Sequence, residues 1–247
     1  QESVTESRLQ RQELELARSV QQSTLPAQPP TLPGYGLAVR AETSREVGGD
    51  FHLFLTPRPG VIGLVLGDVS GKSMAAALTA TGIGYLLPHL RTQSPAEVRL
   101  SVLSDDLRGR LPSGAFVSML YAELENETGS LTLWNAGHAP PWHNAKELPL
   151  GGAPPLGMLP NWKARPQTLS LAPGDTLFFC SDGVLEARHP STGEELGPQR
   201  LADLLAAHLS ASPDTIADAA LDSVHGHGEP ADDLTILVLR RESQAAG

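Results

Sequence analysis

Four aspartates in this chain each stand beside an apolar run, and carboxylates delivered by core strands can hold hard divalent cations. Asp68 follows Val61-Ile-Gly-Leu-Val-Leu66, a continuous apolar stretch of the kind found in strands buried on both faces. Asp50 follows Val47-Gly-Gly and leads into Phe51 to Leu55. Asp182, with Gly183 after it, closes Thr176-Leu-Phe-Phe-Cys-Ser181, and Asp232-Asp233 immediately precedes Leu234-Thr-Ile-Leu-Val-Leu239. A single Gly-Asp or Asp-Gly marks a turn. Four such acids, all abutting apolar strands, predict one convergent cluster.

The stretch Gly67-Asp-Val-Ser-Gly-Lys-Ser73 also has the order of a phosphate-cradling loop. Gly67 and Gly71 enclose only three residues, however, one fewer than a P-loop requires. Asp68 would also point negative charge at the phosphates. Gly48, Gly49, Gly71 and Gly183 read as positions where the backbone turns or approaches something closely, without a chemical part of their own.

The elements that must position these acids can be read from periodicity and punctuation. Residues 1 to 24 are rich in Gln, Glu and Arg, with Leu9, Leu14, Leu16, Ala17 and Val20 as an irregular apolar stripe. They predict a helix, packed on its own domain or serving as a coiled-coil arm. Leu25-Pro-Ala-Gln-Pro-Pro-Thr-Leu-Pro33 ends it as an extended linker. A chain that starts in helix points to a piece of a longer protein.

Tyr35 to Glu42, Phe51 to Thr56 and Val61 to Leu66 predict three strands of one antiparallel sheet carrying Asp50 and Asp68. Met74 to Leu90 and Pro95 to Leu111 follow as helices, the second with Ser94 as N-cap. Ala115 to Glu123 and Ser130 to Asn135 form a hairpin, and from His138 to Pro160 the chain is too rich in Pro and Gly for regular structure. Helices at Gln199 to Leu209 and Pro213 to Val224 precede the last strand. Helices in pairs between groups of strands argue α+β. The expected division is a helical arm over 1–25, one domain over 26–242 and a tail over 243–247.

At 247 residues with a net charge of -10, the chain is sized for one large domain, and its acidity argues against nucleic acid or an anionic membrane surface as partner. No apolar run is long enough to span a membrane, and no signal-peptide pattern opens the sequence. The single cysteine, Cys180, sits in an apolar run and reads as a buried thiol in a cytoplasmic protein.

Val-Gly-Gly-Asp50, Gly-Asp68-Val-Ser-Gly-Lys, Asn135-Ala-Gly-His-Ala-Pro-Pro141, Pro155-Leu-Gly-Met158, Ser-Asp182-Gly-Val and Asp232-Asp-Leu-Thr235, in this order, resemble the metal-dependent protein phosphatases. The branch is that of the bacterial SpoIIE-like and RsbU-like serine phosphatases of sporulation and stress signalling. The resemblance covers roughly Leu25 to Leu239. It implies two stacked antiparallel sheets flanked by pairs of helices, an αββα sandwich with an N-terminal helical arm and the metal site at one end.

It further implies two Mn²⁺ or Mg²⁺ ions. Asp68 matches the bridging carboxylate and Val69 the residue lending its backbone carbonyl. Asp182 and Asp232 match ligands of one metal, with Asp233 the alternative to Asp232, and Asp50 matches a ligand near the other metal. The absence of a His or Cys cluster disfavours Zn²⁺.

Arg45 is either a phosphate-binding guanidinium or a solvated side chain. His138 reads as a structural residue of its loop more readily than as a general acid, and His225 and His227 read as surface residues. Ser73 and Leu53 depart from the pattern, standing where the family usually carries Gly and often carries Asp. The implied activity is hydrolysis of phosphoserine or phosphothreonine on a signalling protein, an anti-sigma-factor antagonist by analogy. Residues 1–25 would join an upstream sensor domain or a second copy, governing assembly or regulation and taking no part in the chemistry. The competing function is a catalytically silent partner-binding module of the same fold.

Overall fold

The computed structural model describes residues 14–71, 73–90, 94–228, 230 and 232–243. The expected helix before residue 14, Lys72 of the Gly-Lys-Ser motif and the tail from 244 lie outside the described residues. Residues 14–24 are helical and form α1.

Among the described residues, ten strands make two five-stranded antiparallel sheets. One sheet runs β1 (Tyr35–Glu42), β10 (Leu234–Arg241), β9 (Thr176–Cys180), β6 (Trp142–His143) and β7 (Lys146–Glu147). The other runs β2 (Asp50–Arg58), β3 (Val61–Val69), β4 (Val117–Glu125), β5 (Ser130–Ala136) and β8 (Gln167–Ser170). Alternation along each strand sorts side chains into three apolar layers. Ile62, Leu64 and Leu66 of β3 meet Phe179, Leu237 and Leu239 of the facing sheet in the middle layer. On the outer face of the second sheet, Phe51, Val65 and Tyr121 pack under helices α2 (Met74–His89) and α3 (Ala96–Arg110). On the outer face of the first, Phe178, Ile236 and Val238 pack under α4 (Gly197–Ala207) and α5 (Pro213–His227). The αββα sandwich expected from the motifs is the observed architecture. No described helix is long and apolar enough to cross a membrane.

Several local expectations need correction. β1 does not share a sheet with β2 and β3; it pairs along its whole length with β10, Tyr35 opposite Arg241 and Glu42 opposite Leu234. The segment from Thr43 to Gly49 crosses between the sheets, a non-sequential arrangement that local patterning cannot reveal. β3 does not stop at Leu66: it continues to Val69, because both neighbours keep its ladder satisfied, Asp50 opposite Asp68 on one side and Ser118 on the other. Ser94 does not cap α3. Pro95 takes the cap position in an extended conformation (φ −52°, ψ 152°), which leaves Ser94 one residue too far from the first-turn amides. Within the Pro/Gly-rich stretch, β6 and β7 form a short hairpin through Asn144 and Ala145, both at positive φ. Asn144 is held there by the hydrogen bond its Nδ2 donates to Asp175 Oδ1 at 2.7 Å. At α2 the unusual Ser73 is the N-cap, its side chain accepting from the Ala76 N–H.

Candidate active site

The middle layer of the sandwich turns polar at one end. Asp68 continues the inward-facing row Ile62, Leu64, Leu66, with Asp50 opposite it on β2 and Ser118 opposite it on β4. From the facing sheet, Thr235 continues the row of Leu237 and Leu239, and its Oγ1 donates to Asp50 Oδ2 at 2.7 Å. Ser181, directly after β9, accepts from the Thr235 N–H at 2.9 Å and donates from Oγ to the Asp233 carbonyl at 3.3 Å.

Asp233 takes a different role from its neighbour. Its Oδ1 accepts from the Ser44 N–H at 2.8 Å and the Ser44 hydroxyl at 3.2 Å, and its Oδ2 accepts from the Gly49 N–H at 2.8 Å. Only 5% exposed, it spends both oxygens on fastening the crossover segment beside Asp50. Asp232 uses one oxygen to accept from the Asp233 N–H at 2.9 Å. A Cβ on Gly183 would fall 2.2 Å from the Asp233 carbonyl oxygen, so only glycine lets the turn after β9 close against the 232–233 backbone. That contact sets Asp182 beside Asp232. Both acids raise the pKa of Glu186, after the larger effect of its burial.

Burial drives the Asp50 carboxyl well above the usual carboxylate range. Thr235 and Ser181 oppose the shift with hydrogen bonds, while Asp68 and Asp233 add to it by repulsion. Burial, then the charges of Asp182 and Asp50, push the Cys180 thiol up to about 12, so it stays protonated and inert.

His138 closes its own loop. Asn135 Oδ1 accepts from the His138 N–H at 2.8 Å and Asn135 Nδ2 donates to the His138 carbonyl at 3.0 Å, while the ring Nδ1 pairs with Ser118 Oγ at 2.8 Å. Burial lowers its pKa to about 4, leaving the ring neutral. Arg45 lies exposed on the crossover segment. His225 is exposed and paired with Glu42, and His227 bonds the Glu194 carbonyl.

The chain's fitness for divalent cations rests on donor chemistry. Among the described residues, no three His, Cys, Asp or Glu side chains stand together as a ready-made cage. The acids arrive as two pairs, Asp50 with Asp68 and Asp182 with Asp232, and mutual repulsion opposes closer approach unless a cation offsets it. The space a Cβ on Gly49 would fill lies 2.7 Å from Asp68 Oδ1 and 2.6 Å from the Val69 carbonyl oxygen. Only glycine lets the crossover segment approach so closely, and the carboxylate and carbonyl oxygens that it meets lie together, a donor pair that suits Mg²⁺ or Mn²⁺.

A sequence model of the family Stage II sporulation protein E (SpoIIE) matches residues 58–242. The chain belongs to the SpoIIE family. As a SpoIIE-family chain it is 28% identical over 269 residues to protein IcfG of Synechocystis sp., covering 94% of this chain and 42% of that protein. It is 26% identical over 240 residues to phosphoserine phosphatase RsbU of Bacillus subtilis, covering 93% of this chain and 70% of that one. Its fold superposes on the SiaA-PP2C domain of Pseudomonas aeruginosa with a TM-score of 0.83 at 21% identity, over 97% of this chain and 99% of that chain. The SpoIIE-family chain therefore carries a PP2C-type phosphatase fold, and it spans less than half the length of IcfG.

Sequence reasoning missed Thr235, Ser181 and Ser118 as partners of the acids. The signal for Thr235 was present: it lies two positions after Asp233 and so shares its face of the strand. Gln21 was also missed. It is 5% exposed, and its side-chain amide exchanges hydrogen bonds with the backbone of Gly48, one residue before Gly49.

Proposed function

We propose that this chain is the catalytic unit of a metal-dependent phosphoserine/phosphothreonine protein phosphatase of the SpoIIE family, acting in the cytoplasm on a phosphorylated signalling protein. The observation that carries the reading is the convergence of Asp68 Oδ1 and the Val69 carbonyl beside Gly49, with Asp50, Asp182 and Asp232 at the same end of the sandwich. Asp50, Asp68, the Val69 carbonyl, Asp182 and Asp232 would hold two Mn²⁺ or Mg²⁺ ions. Such ions supply Lewis acidity to phosphoryl oxygens and acidify a water molecule. The chain's own part is positional. Asp233 and Gln21 hold the crossover segment from both sides, Thr235 orients Asp50, and the apolar middle layer behind Asp68 keeps the acids from withdrawing inward. Arg45, on the same segment, is assigned to the substrate phosphate. The substrate class proposed, a small anti-sigma-factor antagonist, rests on the resemblance of the ordered motifs to the RsbU-like branch, and similarity to a phosphoserine phosphatase supports it.

The test is release of inorganic phosphate from a phosphoserine peptide by the purified chain in Mn²⁺. Turnover should be abolished by EDTA and by Asp68→Asn, and unaffected by a thiol alkylating agent. Full turnover in excess chelator, or by Asp68→Asn in saturating Mn²⁺, refutes the reading.

A further inference from the structure

The stretches 107–122 and 148–174 contain no Asp or Glu, in a chain that has 28 of them. The fold sets the two together beside the acidic end of the sandwich. Val117 and Leu156 exchange backbone hydrogen bonds at 3.0 and 2.8 Å. Gly157, at φ +81°, leaves no room for a Cβ beside Leu111 at the end of α3, and its N–H donates to the buried Ser104 hydroxyl at 3.1 Å.

The loop that follows is clamped and yet apolar on its outside. Trp162, 2% exposed, donates its indole N–H to the Pro154 carbonyl, and it packs with Ala164 in the layer under α3. Between these anchors Met158 and Leu159 stand 52% and 50% exposed. Large apolar side chains held out by a fixed loop mark a contact surface, and methionine adapts to varied partners. Lys163 and Arg165 alternate with the buried Trp162 and Ala164 and so face outward, and Arg108 is exposed on the last turn of α3. Arg110 already pairs with Asp106, so the charge on offer comes from Arg108, Lys163 and Arg165.

Leu156 sits opposite Val117, which sits opposite Val69, the residue next to Asp68. Two strand spacings, ~10 Å, therefore separate the start of this loop from the acidic cluster. An extended peptide covers that distance and the further reach to Met158 in about three to five residues. We propose that Met158 and Leu159, with Arg108, Lys163 and Arg165 around them, dock the flank of the phosphoprotein substrate. The segment they take carries a large apolar side chain and a carboxylate about three to five residues from its phosphoserine. This docking rests on the phosphatase reading and gives that activity a means of choosing among phosphoserines. The net charge of -10 disfavours an acidic segment over the surface at large, so the match is local to this loop.

The test compares kcat/KM in Mn²⁺ for phosphoserine peptides bearing Leu and Glu at about three to five residues before or after the phosphoserine with a peptide lacking both. Para-nitrophenyl phosphate, too small to reach the loop, serves as the reference. One register is expected to be preferred about tenfold or more, through KM. The double variant Met158→Ser, Leu159→Ser should lose the preference. Lys163→Glu with Arg165→Glu should shift it toward a peptide carrying Lys in place of Glu. Both variants should turn over para-nitrophenyl phosphate like the parent. No preference in any register, or a preference that survives both variants, overturns the docking proposal, while para-nitrophenyl phosphate turnover keeps the phosphatase reading standing. Absence of that turnover in the parent refutes the reading and the docking together. A parent dimer that Met158→Ser, Leu159→Ser dissociates in sedimentation would give the face to a second copy and likewise overturn the proposal.

Discussion

Gln21 and Gly48 clasp each other through both ends of an amide: Gln21 Nε2 donates to the Gly48 carbonyl at 2.6 Å, and the Gly48 N–H donates to Gln21 Oε1 at 3.2 Å. The helical arm thus touches the segment that ends in Asp50, a closer involvement than its composition indicated. Gln21→Ala would leave a buried backbone donor and acceptor unpaired, costing about 1–3 kcal/mol. It should also raise the Mn²⁺ concentration needed for half-maximal phosphatase activity several-fold. A Mn²⁺ titration paired with a thermal melt checks both. An unchanged titration would show that the arm merely rests on the domain.

Adjacent Asp232 and Asp233 should respond in opposite ways to substitution. Asp233→Ala removes the acceptor of three hydrogen bonds from Ser44 and Gly49, and is expected to destabilise the fold by about 3 kcal/mol or more. Asp232→Ala should leave the melting temperature close to that of the parent and weaken Mn²⁺ activation about tenfold or more. Denaturant unfolding and metal titration of the two variants would reverse the assignment if the effects were exchanged.

Acid lability is expected to trace in part to His138. Burial lowers its pKa to about 4 from an ordinary value of 6.5, so between those values the unfolded chain binds the proton that the folded chain refuses. The contribution is fully present above pH 6.5, falls as pH drops, and is lost below about 4, amounting to about 3 kcal/mol across the window. Asp50, shifted upward, acts in the opposite sense in the metal-free protein. The difference between parent and His138→Gln unfolding energies, measured from pH 7.5 to 4, cancels that term. A flat difference would refute the claim.

Under α3, Arg99 and Glu123 form a buried ion pair that Tyr121 joins through its hydroxyl, and Arg58 reaches the same carboxylate from the surface at 2.8 Å. Arg99→Ala would strand a buried charge and should cost about 3–5 kcal/mol. Arg58→Ala, at a half-exposed site, should cost about 1 kcal/mol or less. Equal losses in denaturant unfolding would contradict the assigned burial.

The buried central strands were legible because β3, β9 and β10 are continuous apolar runs covered on both faces, whereas the stacking of two sheets between helix pairs came only with the resemblance of the ordered motifs. The acids stood out because each interrupts or flanks such a run. What stayed hidden depended on long-range partners. The membership of β1 in the other sheet rests on its pairing with β10, nearly the whole chain away. The fastening of Asp233 depends on Ser44 and Gly49, which no local pattern connects to it. Gln21 resembled every other glutamine of a polar helix until its partner was known.

β10 lies between β1 and β9 and brings Asp233 and Thr235 to a site whose other half was laid down by residue 69. During synthesis the first sheet must wait with the place between β1 and β9 vacant until Leu234–Arg241 has been made, so it is closed by a pairing as distant as Tyr35 with Arg241. A prematurely terminated product lacks the residue that fastens Gly49 and the one that orients Asp50. Assembly of the acidic end is thereby tied to completion of this one pairing.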